Sequence, residues 1–433
     1  MPSDPDDPSN STGSIKDLIL EQEEAANLIK NRSLLEPNEI VDEERIVGRD
    51  EQLTNITQHL RVAIDNERPP NLLLYGPSGT GKSLIINAVC ENIVDLCESR
   101  DIRFGVIQMN CQNVGTLGSA VYELVRKVAD DTGANIEIPE HGIPNRKKWR
   151  ELYRLINEHY DTVVFILDEL DMLIGRRDKE EPAFSRLLYQ LSRAGSTDEI
   201  TSNVSVTAIT NDTKMMENVG SRALSSFTPE DVHFNDYDAN QLREILYARE
   251  DAFHEDALSD DVIPLAAAFA AQTNGDARKA IDLMRTAGSI AEKAGADRIK
   301  EGHVREAQNK VEKNRVLEVT RGISTQKKLC LFATAAVASE TGTGAAKSPT
   351  GYRVYQYLTD TLDADQYHQE TYVNKMKELT TYSLVETERK SQGPHSGSYL
   401  NFTFGEDPET IIETLREDSR LNEVHEDELH TVV

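Results

Sequence analysis

The octapeptide GPSGTGKS, residues 76 to 83, constrains the fold of this chain more than any other segment. It follows the apolar run NLLLY, which is typical of a buried strand, and it precedes a helical pattern that starts at Lys82. Glycines at this spacing let backbone N–H groups surround phosphates at a helix N-terminus. A chance glycine-rich turn would not need that strand and that helix on either side. We therefore expect Lys82 to neutralise the β- and γ-phosphates of a nucleotide and the Ser83 hydroxyl to ligate Mg²⁺. The predicted nucleotide contacts of this segment are Gly76, Pro77, Ser78, Gly79, Thr80, Gly81, Lys82, Ser83 and Leu84.

Polar side chains follow two further apolar strands. TVVFILDELD ends in Asp168 and Glu169, and VSVTAITND ends in Asn211. Ligands of open α/β sheets lie at the carboxyl ends of the strands. Asp168 therefore fits a second Mg²⁺ ligand, Glu169 fits the base that orients an attacking water, and Asn211 fits a γ-phosphate contact. Solvated turns are the simpler alternative, and Asp171 is better explained as a helix cap.

The order of the predicted elements gives the fold class. From residue 50 to residue 235, helical patterns alternate with short, continuously apolar strands, which predicts a parallel sheet covered on both faces. Residues 238 to 315 carry only helical periodicity. The chain is expected to be α/β, with an all-α region after the sheet.

Charge is distributed unevenly along the 433 residues, whose formal net charge is −28. Residues 1 to 45 and residues 406 to 433 each have a net charge of −8, whereas residues 317 to 405 are neutral. An acidic surface repels phosphates, but in molar salt the Debye length is only about 3 Å. We interpret the acid excess as an adaptation to high salt rather than as a sign of a basic partner. The chain has no apolar run that predicts a membrane span, and its four cysteines are expected to be inert thiols in a reducing cytoplasm.

The ordered motifs resemble those of the AAA+ ATPases. By this resemblance, Arg278 in NGDARKAIDLMR corresponds to the sensor-2 arginine, which reaches the phosphates from a helical lid. Arg222 in GSRALSSF lies where the family has the arginine finger that completes a neighbour's site. A lone arginine is otherwise most often a surface charge.

The segment SLLEPNEIVDEERIVGRDEQL narrows the resemblance to the archaeal origin-recognition initiators, which are related to the large subunit of the origin recognition complex and to the cell-division-control helicase loader. In that family IVGRDEQL lies against the adenine, which implies contacts from Val47, Gly48 and Arg49. The resemblance also assigns Tyr237 and Arg249 to the nucleotide pocket. Without it, Tyr237 would be interpreted as a core residue at a domain junction.

One motif departs from the family pattern. The family inserts a DNA-contacting helical motif after the second strand, and this chain has NCQNVGTLGSAVYELVRKV there, with Gln112 where a basic residue would help. Arg126, Lys127 and the basic stretch NRKKWR remain nearby, although NRKKWR is equally typical of a solvated helix start. DNA contact by this region is left open.

Residues 325 to 405 predict a winged helix, made of three short helices and a two-stranded hairpin. In the third helix, which starts at Gln369, the pattern predicts that Val373, Met376, Leu379 and Thr380 face the core. The predicted DNA contacts are Tyr372, Asn374, Lys375 and Lys377 on this helix, with Arg389, Lys390 and His395 on the wing. A protein-docking domain is the alternative for three helices and a hairpin.

The expected domains are an acidic N-terminal segment that is largely disordered at its start (1–30), an AAA+ base (31–237), a helical lid (238–316), a winged helix (317–405) and an acidic tail (406–433). The resemblance implies ATP or ADP and Mg²⁺ as ligands, and slow hydrolysis that acts as a switch. It also implies origin DNA, the MCM helicase, and paralogues or further copies on DNA as partners, with a nucleoid-associated, cytoplasmic location and no membrane. A non-initiating DNA-binding regulator and a scaffold ATPase are the alternatives.

Overall fold

The computed structural model describes residues 27–37, 43–173, 177–178, 181–196, 199–212, 219–273, 275–382, 384–391, 398–418 and 420–422. Most of the predicted N-terminal segment and the end of the predicted tail lie outside these residues. The described residues form two compact units, one within residues 33–251 and 270–281, the other within residues 27–32, 252–269 and 282–422. None of the helices in the described residues is both long and apolar enough to cross a membrane.

The α-helices of the described residues are α1 (Asp50–Leu60), α2 (Lys82–Glu98), α3 (Leu117–Thr132), α4 (Asn145–His159), α5 (Ala183–Ser192), α6 (Ser221–Phe227), α7 (Ala239–Tyr247), α8 (Val262–Gln272), α9 (Ala277–Lys293), α10 (Glu301–Gly322), α11 (Thr325–Glu340), α12 (Ser348–Thr361), α13 (Gln369–Glu378) and α14 (Pro408–Leu415). The strands are β1 (Leu72–Tyr75), β2 (Phe104–Asn110), β3 (Thr162–Asp168), β4 (Arg177–Asp178), β5 (Glu181–Pro182), β6 (Asn203–Thr210), β7 (Glu230–His233), β8 (Ala345–Lys347), β9 (Val385–Ser391) and β10 (Ser398–Phe404).

The first unit is built on a parallel sheet of five strands in the order β2-β3-β6-β1-β7. Successive side chains of a strand point to opposite faces of a sheet. Val163 and Phe165 of β3 accordingly belong to the core cluster that contains α3, α4 and α5, whereas Val164 and Ile166 belong to the cluster that contains α1 and α2. The predicted parallel sheet with helices on both faces is confirmed, and its carboxyl edge brings the ends of β1, β3 and β6 together.

The residues of the predicted lid (238–316) are divided between the two units. Residues 238–251 and 270–281 belong to the unit of the sheet, whereas residues 252–269 and 282–316 belong to the other unit. Ala277, at the start of α9, donates its N–H to the Gly79 carbonyl at 3.2 Å. This contact ties the first turn of α9 to the loop that follows β1.

The second unit includes a stretch from the N-terminal side of the chain. Ile29 forms a bridge with Phe253, and the Glu292 carboxylate accepts the N–H groups of Leu28 and Ile29 at 3.0 Å each. Gly288 allows this close approach, since a Cβ there would lie 2.7 Å from the Cδ1 of Ile29. Residues 28 and 29 are therefore ordered by burial, in a segment predicted to be disordered at its start.

The winged helix is larger than predicted. Its sheet has a third strand, in the antiparallel order β8-β10-β9, and α14 follows the hairpin. Ile411 and Leu415 of α14 are buried in the core of this unit, and the Glu406 carboxylate pairs with Arg315 at 2.7 Å. The prediction of an acidic tail from residue 406 is wrong for α14, because an apolar face is embedded in that acidic sequence.

Candidate functional site

The loop after β1 has the backbone conformation of a phosphate-binding loop. Gly76, Gly79 and Gly81 have φ angles of 142°, 73° and 90°, a region that side chains with a Cβ rarely adopt. At Gly76 a Cβ would also lie 2.0 Å from the Phe234 carbonyl oxygen. The loop opens into a cavity of about 370 Å³.

Lys82 is buried and lines this cavity. Its Nζ donates to the carbonyls of Gly76 at 2.7 Å and Pro77 at 2.6 Å, and to Asn211 Oδ1 at 2.9 Å. Burial lowers the pKa of Lys82 to about 8, and Arg278 adds to this effect, whereas Asp168 opposes it. Such an ammonium group gains from an anion that replaces its neutral acceptors.

The two predicted Mg²⁺ ligands touch each other. Ser83 Oγ donates to Asp168 Oδ2 at 2.6 Å, and Asp168 Oδ1 accepts the Glu169 N–H at 2.9 Å. A hydroxyl and a carboxylate oxygen are the kind of ligands that Mg²⁺ takes. The residues present therefore fit this ion.

Glu169 combines backbone strain with an unsatisfied carboxylate. Its φ is +53°, and its Oε2 is buried without a hydrogen-bond partner in the part of the chain that the structure describes. A buried carboxylate oxygen without a partner is costly, and a bound water or ion at the site would satisfy it. Asp171 is not a helix cap as predicted, because its Oδ1 accepts from Thr210 Oγ1 at 2.9 Å and from Asn211 N at 3.2 Å. Asp171 thus fixes the end of β6 beside Lys82.

Of the residues that the resemblance assigned to the adenine and the nucleotide pocket, only some line the cavity. Val47, Tyr237 and Arg249 line it as expected. Gly48 and Arg49 do not. Burial lowers the pKa of Arg249, and the nearby charge of Arg45 lowers it further.

The side chain of Arg49, which was predicted to contact the nucleotide, has other partners in the structure. Arg49 is only 4% exposed, and its guanidinium donates to Thr80 O at 2.9 Å and to Asn235 O at 2.6 Å. Its Cζ lies 3.7 Å from the centroid of the Tyr237 ring. Arg49 therefore clamps the phosphate-binding loop to the segment after β7, and it covers one face of the ring that was expected to meet a purine.

The two arginines predicted from the resemblance lie in different surroundings. Arg278, on the first turn of α9, is exposed and lines the cavity. Arg222, near the start of α6, is exposed and does not line the cavity of its own chain. Only Arg278 is brought to this site.

Several lining residues were missed by the sequence reasoning. Asn110 is paired with Asp168 across β2 and β3, so it lies at the same carboxyl edge. A polar residue at the end of an apolar strand was the available signal, as it was for Asp168. Arg45 had no such signal, because its place depends on a carboxylate distant in sequence, Asp251, at 2.7 Å. The other missed lining residues are Glu36, Pro37, Asn87, Gln108, Ile245, Ala277 and Ile281.

In the winged helix, the third helix is rotated from its predicted orientation. Tyr372, predicted to contact DNA, is completely buried among Tyr352, Tyr355 and Phe402. Its hydroxyl forms a hydrogen bond with Thr334 Oγ1 at 2.6 Å, which satisfies its polar end. The core positions are Tyr372, Met376 and Leu379, while Val373 is half-buried and Thr380 is exposed. The prediction that Tyr372 faces outward is therefore wrong.

The remaining predicted DNA contacts differ in how free their side chains are. Asn374 and Lys377 are exposed, whereas Lys375 is half-buried and pairs with Glu378 at 2.8 Å. On β9, Arg389 donates to Ser398 Oγ from Nε at 3.0 Å, and Lys390 pairs with Glu388 at 3.0 Å. His395 lies outside the described residues. A groove of about 490 Å³ between α13 and the sheet is lined by Ser348, Gln369, Glu370, Val373, Lys377, Arg389, Ser398, Tyr399 and Leu400.

The basic stretch NRKKWR begins α4 and is partly structural. Lys148 is buried and donates to the Gly118 carbonyl at 2.9 Å, and Trp149 is 7% exposed. Arg146, Lys147 and Arg150 are exposed. Arg126 pairs with Glu123 on its own helix.

Two proteins of halophilic archaea match this chain over nearly its whole length. ORC1-type DNA replication protein 5 of Halobacterium salinarum is 54% identical over 419 residues, which cover 96% of this chain and 98% of the relative. ORC1-type DNA replication protein 14 of Haloarcula marismortui is 50% identical over 422 residues, with the same coverage. This chain belongs to the family of ORC1-type DNA replication proteins.

Three family models match successive parts of this ORC1-type chain. Residues 45–204 match an AAA ATPase domain, residues 243–309 a Cdc6 AAA+ ATPase-type lid domain, and residues 318–414 a CDC6 C-terminal winged-helix domain. The predicted family and fold class are confirmed. Because the winged-helix match runs to residue 414, it takes in most of α14.

Solved structures agree with this fold. The Aeropyrum pernix ORC1 protein, determined in complex with DNA, is 29% identical, with a TM-score of 0.71 over 92% of this chain and 99% of that chain. The Aeropyrum pernix ORC2 protein, determined as ADPNP–ADP complexes, shares the fold at 18% identity, with a TM-score of 0.60 over 91% of this chain and 98% of that chain.

Proposed function

We propose that this ORC1-type protein is an ATP-dependent initiator of DNA replication that binds origin DNA and helps to recruit or load the MCM helicase. The observation that supports it most is the group of Lys82, Ser83, Asp168 and Glu169 around one cavity, with a buried, unpaired oxygen on Glu169. Family membership and the winged helix supply the link to DNA.

The cavity supports binding of ATP or ADP. Lys82 would exchange its carbonyl and amide acceptors for phosphate oxygens, and the backbone N–H groups from Gly79 to Ser83 would surround them. Ser83 and Asp168 would hold Mg²⁺, which neutralises phosphate charge when it is bound. Val47, Tyr237 and Arg249 would lie against the base, whereas Arg49 acts indirectly through Thr80.

Hydrolysis is proposed as a slow switch between states. Glu169 Oε2 would accept a proton from a water, and Asn211, held by Asp171, would help to position that water or the γ-phosphate. Arg278 would contact the phosphates from the start of α9. Arg222 is exposed, so a role in a neighbouring copy's site is open to it, as the resemblance implies.

The winged helix is proposed to bind double-stranded origin DNA. Asn374 can contact base edges and Lys377 can contact phosphates, with Arg389 and Lys390 on the wing and His395 beyond the described residues. Lys375 contributes less because Glu378 neutralises it. We extend the proposal to paralogues or further copies as partners on DNA and to a cytoplasmic, nucleoid-associated location, both of which follow from the DNA partner.

Footprinting in molar KCl tests this proposal. The probe is the DNA that flanks the gene, including its repeats, and the protein is wild type or the variant Lys82→Ala. Protection of the repeats supports an initiator, protection only of flanking DNA outside the repeats indicates a DNA-binding regulator, and no protection at any concentration indicates a scaffold ATPase. Lys82→Ala should abolish ATP binding, and a normal ATP affinity would contradict the site assignment. Glu169→Gln should bind ATP but release no phosphate.

A further inference from the structure

Asp276 places a carboxylate directly against the phosphate-binding loop. A Cβ built at Gly79 would lie 1.8 Å from Asp276 Oδ1, so this side chain packs on the loop where only glycine leaves room. The contact lies within the compact unit of the sheet. An acidic group here is unexpected, because a site for a polyanion gains nothing from a nearby negative charge.

The same carboxylate also caps the helix that carries Arg278. Asp276 Oδ1 accepts the Arg278 N–H at 2.8 Å and the Lys279 N–H at 3.4 Å. Ala277, between them, donates its N–H to the Gly79 carbonyl. Asp276 therefore connects two elements, the loop that is proposed to bind phosphates and the first turn of α9.

The backbone before Asp276 is anchored as well. The Gly275 carbonyl accepts the Tyr237 N–H at 3.2 Å, and a Cβ on Gly275 would lie 2.4 Å from the Tyr237 carbonyl oxygen. Gly275 also has a φ of +58°. The position of Asp276 is thus fixed from both sides, so its charge is held in place.

Capping alone does not require that charge. Asparagine caps helices about as well as aspartate, because the capping atom is a side-chain oxygen in both. The charge lies next to the site nevertheless, since both carboxylate oxygens of Asp276 would lie within 2.6 Å of a Cβ at Gly79, in the loop proposed to bind phosphates.

We propose that Asp276 is a positioning residue with two separable effects: its oxygen holds Arg278 at the site, and its negative charge weakens nucleotide binding. The charge opposes ATP more than ADP, because ATP carries the additional phosphate charge. It therefore keeps the ATP-bound state from becoming too long-lived for a switch. This inference rests on the proposed binding of ATP to the cavity.

The variants Asp276→Asn and Asp276→Ala separate the two effects. Asp276→Asn keeps the cap and removes the charge. ATP should therefore bind about three- to tenfold more tightly, and ADP should gain less. The effect should remain measurable in molar salt, because salt screens a half-buried charge only in part. Asp276→Ala also loses the cap, so ATP hydrolysis at saturating ATP should fall relative to Asp276→Asn. The assay is titration of the full chain with ATP and with ADP in molar KCl, followed by single-turnover phosphate release.

Asp238 supplies the matched control. It caps α7 in the same way, accepting the N–H groups of Asn240 at 2.8 Å and Gln241 at 2.9 Å, and unlike Asp276 it is not among the nearest neighbours of Gly79. Asp238→Asn should leave both affinities unchanged. Equal or weaker ATP binding by Asp276→Asn, or the same gain in Asp238→Asn, would overturn the inference. If the wild type itself binds neither nucleotide, it is the proposed function that fails.

Discussion

Removing the Arg49 guanidinium should destabilise the sheet unit and loosen the phosphate-binding loop at once. In the variant Arg49→Ala, the carbonyls of Thr80 and Asn235 lose their donors at 2.9 and 2.6 Å, and the Tyr237 ring loses a cation 3.7 Å from its centroid. A hydrogen bond from a charged donor contributes about 1.5–3 kcal/mol and a desolvated cation–π contact about 2 kcal/mol. These contributions overlap, and removal of the buried charge also removes its desolvation cost. We therefore expect the free energy of unfolding to fall by about 3–5 kcal/mol.

Trp149 allows this loss to be measured in the relevant unit. It is the only tryptophan of the chain, and it is buried in the core of the sheet unit. Its fluorescence during denaturation in molar KCl therefore reports on that unit alone. Arg49→Lys, which has no planar fork, should recover only about half of the loss. A loss below about 1 kcal/mol in Arg49→Ala would refute the clamp, and a lowered ATP affinity beside that small loss would favour a direct contact with the nucleotide.

Three further predictions concern Lys82, Tyr372 and Lys377. Lys82 must be charged to bind phosphate, so its lowered pKa of about 8 predicts that ATP affinity falls up to tenfold per pH unit above pH 8. The free energy of unfolding of the ligand-free protein should rise toward pH 10.5, because the unfolded state binds the proton more tightly. A flat ATP affinity between pH 7.5 and about 9.5 in calorimetric titrations would contradict this. Tyr372→Phe removes the hydrogen bond to Thr334 and should cost about 1 kcal/mol in thermal unfolding without changing DNA affinity. Lys377→Ala should weaken DNA binding several-fold more than Lys375→Ala, and equal losses in a mobility-shift assay would count against the assigned surface.

Local motifs predicted the site because their geometry is set by the nearby chain. The strand, the glycines and the helix around Lys82 place backbone N–H groups with little help from the rest of the fold. Asp168 and Asn211 could be predicted for a similar reason, since parallel strands bring their carboxyl ends to one edge.

Side-chain direction could not be predicted in the same way. Arg49 lies two residues after Val47, yet its side chain donates hydrogen bonds to the carbonyls of Thr80 and Asn235, which are distant in the chain. The burial of Tyr372 depends on Thr334, whose oxygen satisfies the hydroxyl inside the core. Helical periodicity alone treats tyrosine as amphipathic and allows either orientation.

The acidic composition of residues 406 to 433 gave no indication of helix α14. Residues 406 to 433 have a net charge of −8, and this excess suggested a solvated tail. The buried side chains of α14 are apolar positions at helical spacing within that segment, Ile411 and Leu415. In a protein adapted to high salt, acidic residues cover the exposed faces of folded helices, so charge is a weak guide to disorder.

We propose that this protein acts at a replication origin under the control of ATP. Immunoprecipitation of the tagged chain from its own cells, with sequencing of the bound DNA aligned to a replication profile, tests this directly. We expect enrichment at a peak of replication initiation, and loss of initiation there when Lys82→Ala replaces the wild type. Enrichment only at sites where replication does not start, or unchanged initiation in the Lys82→Ala cells, would contradict it.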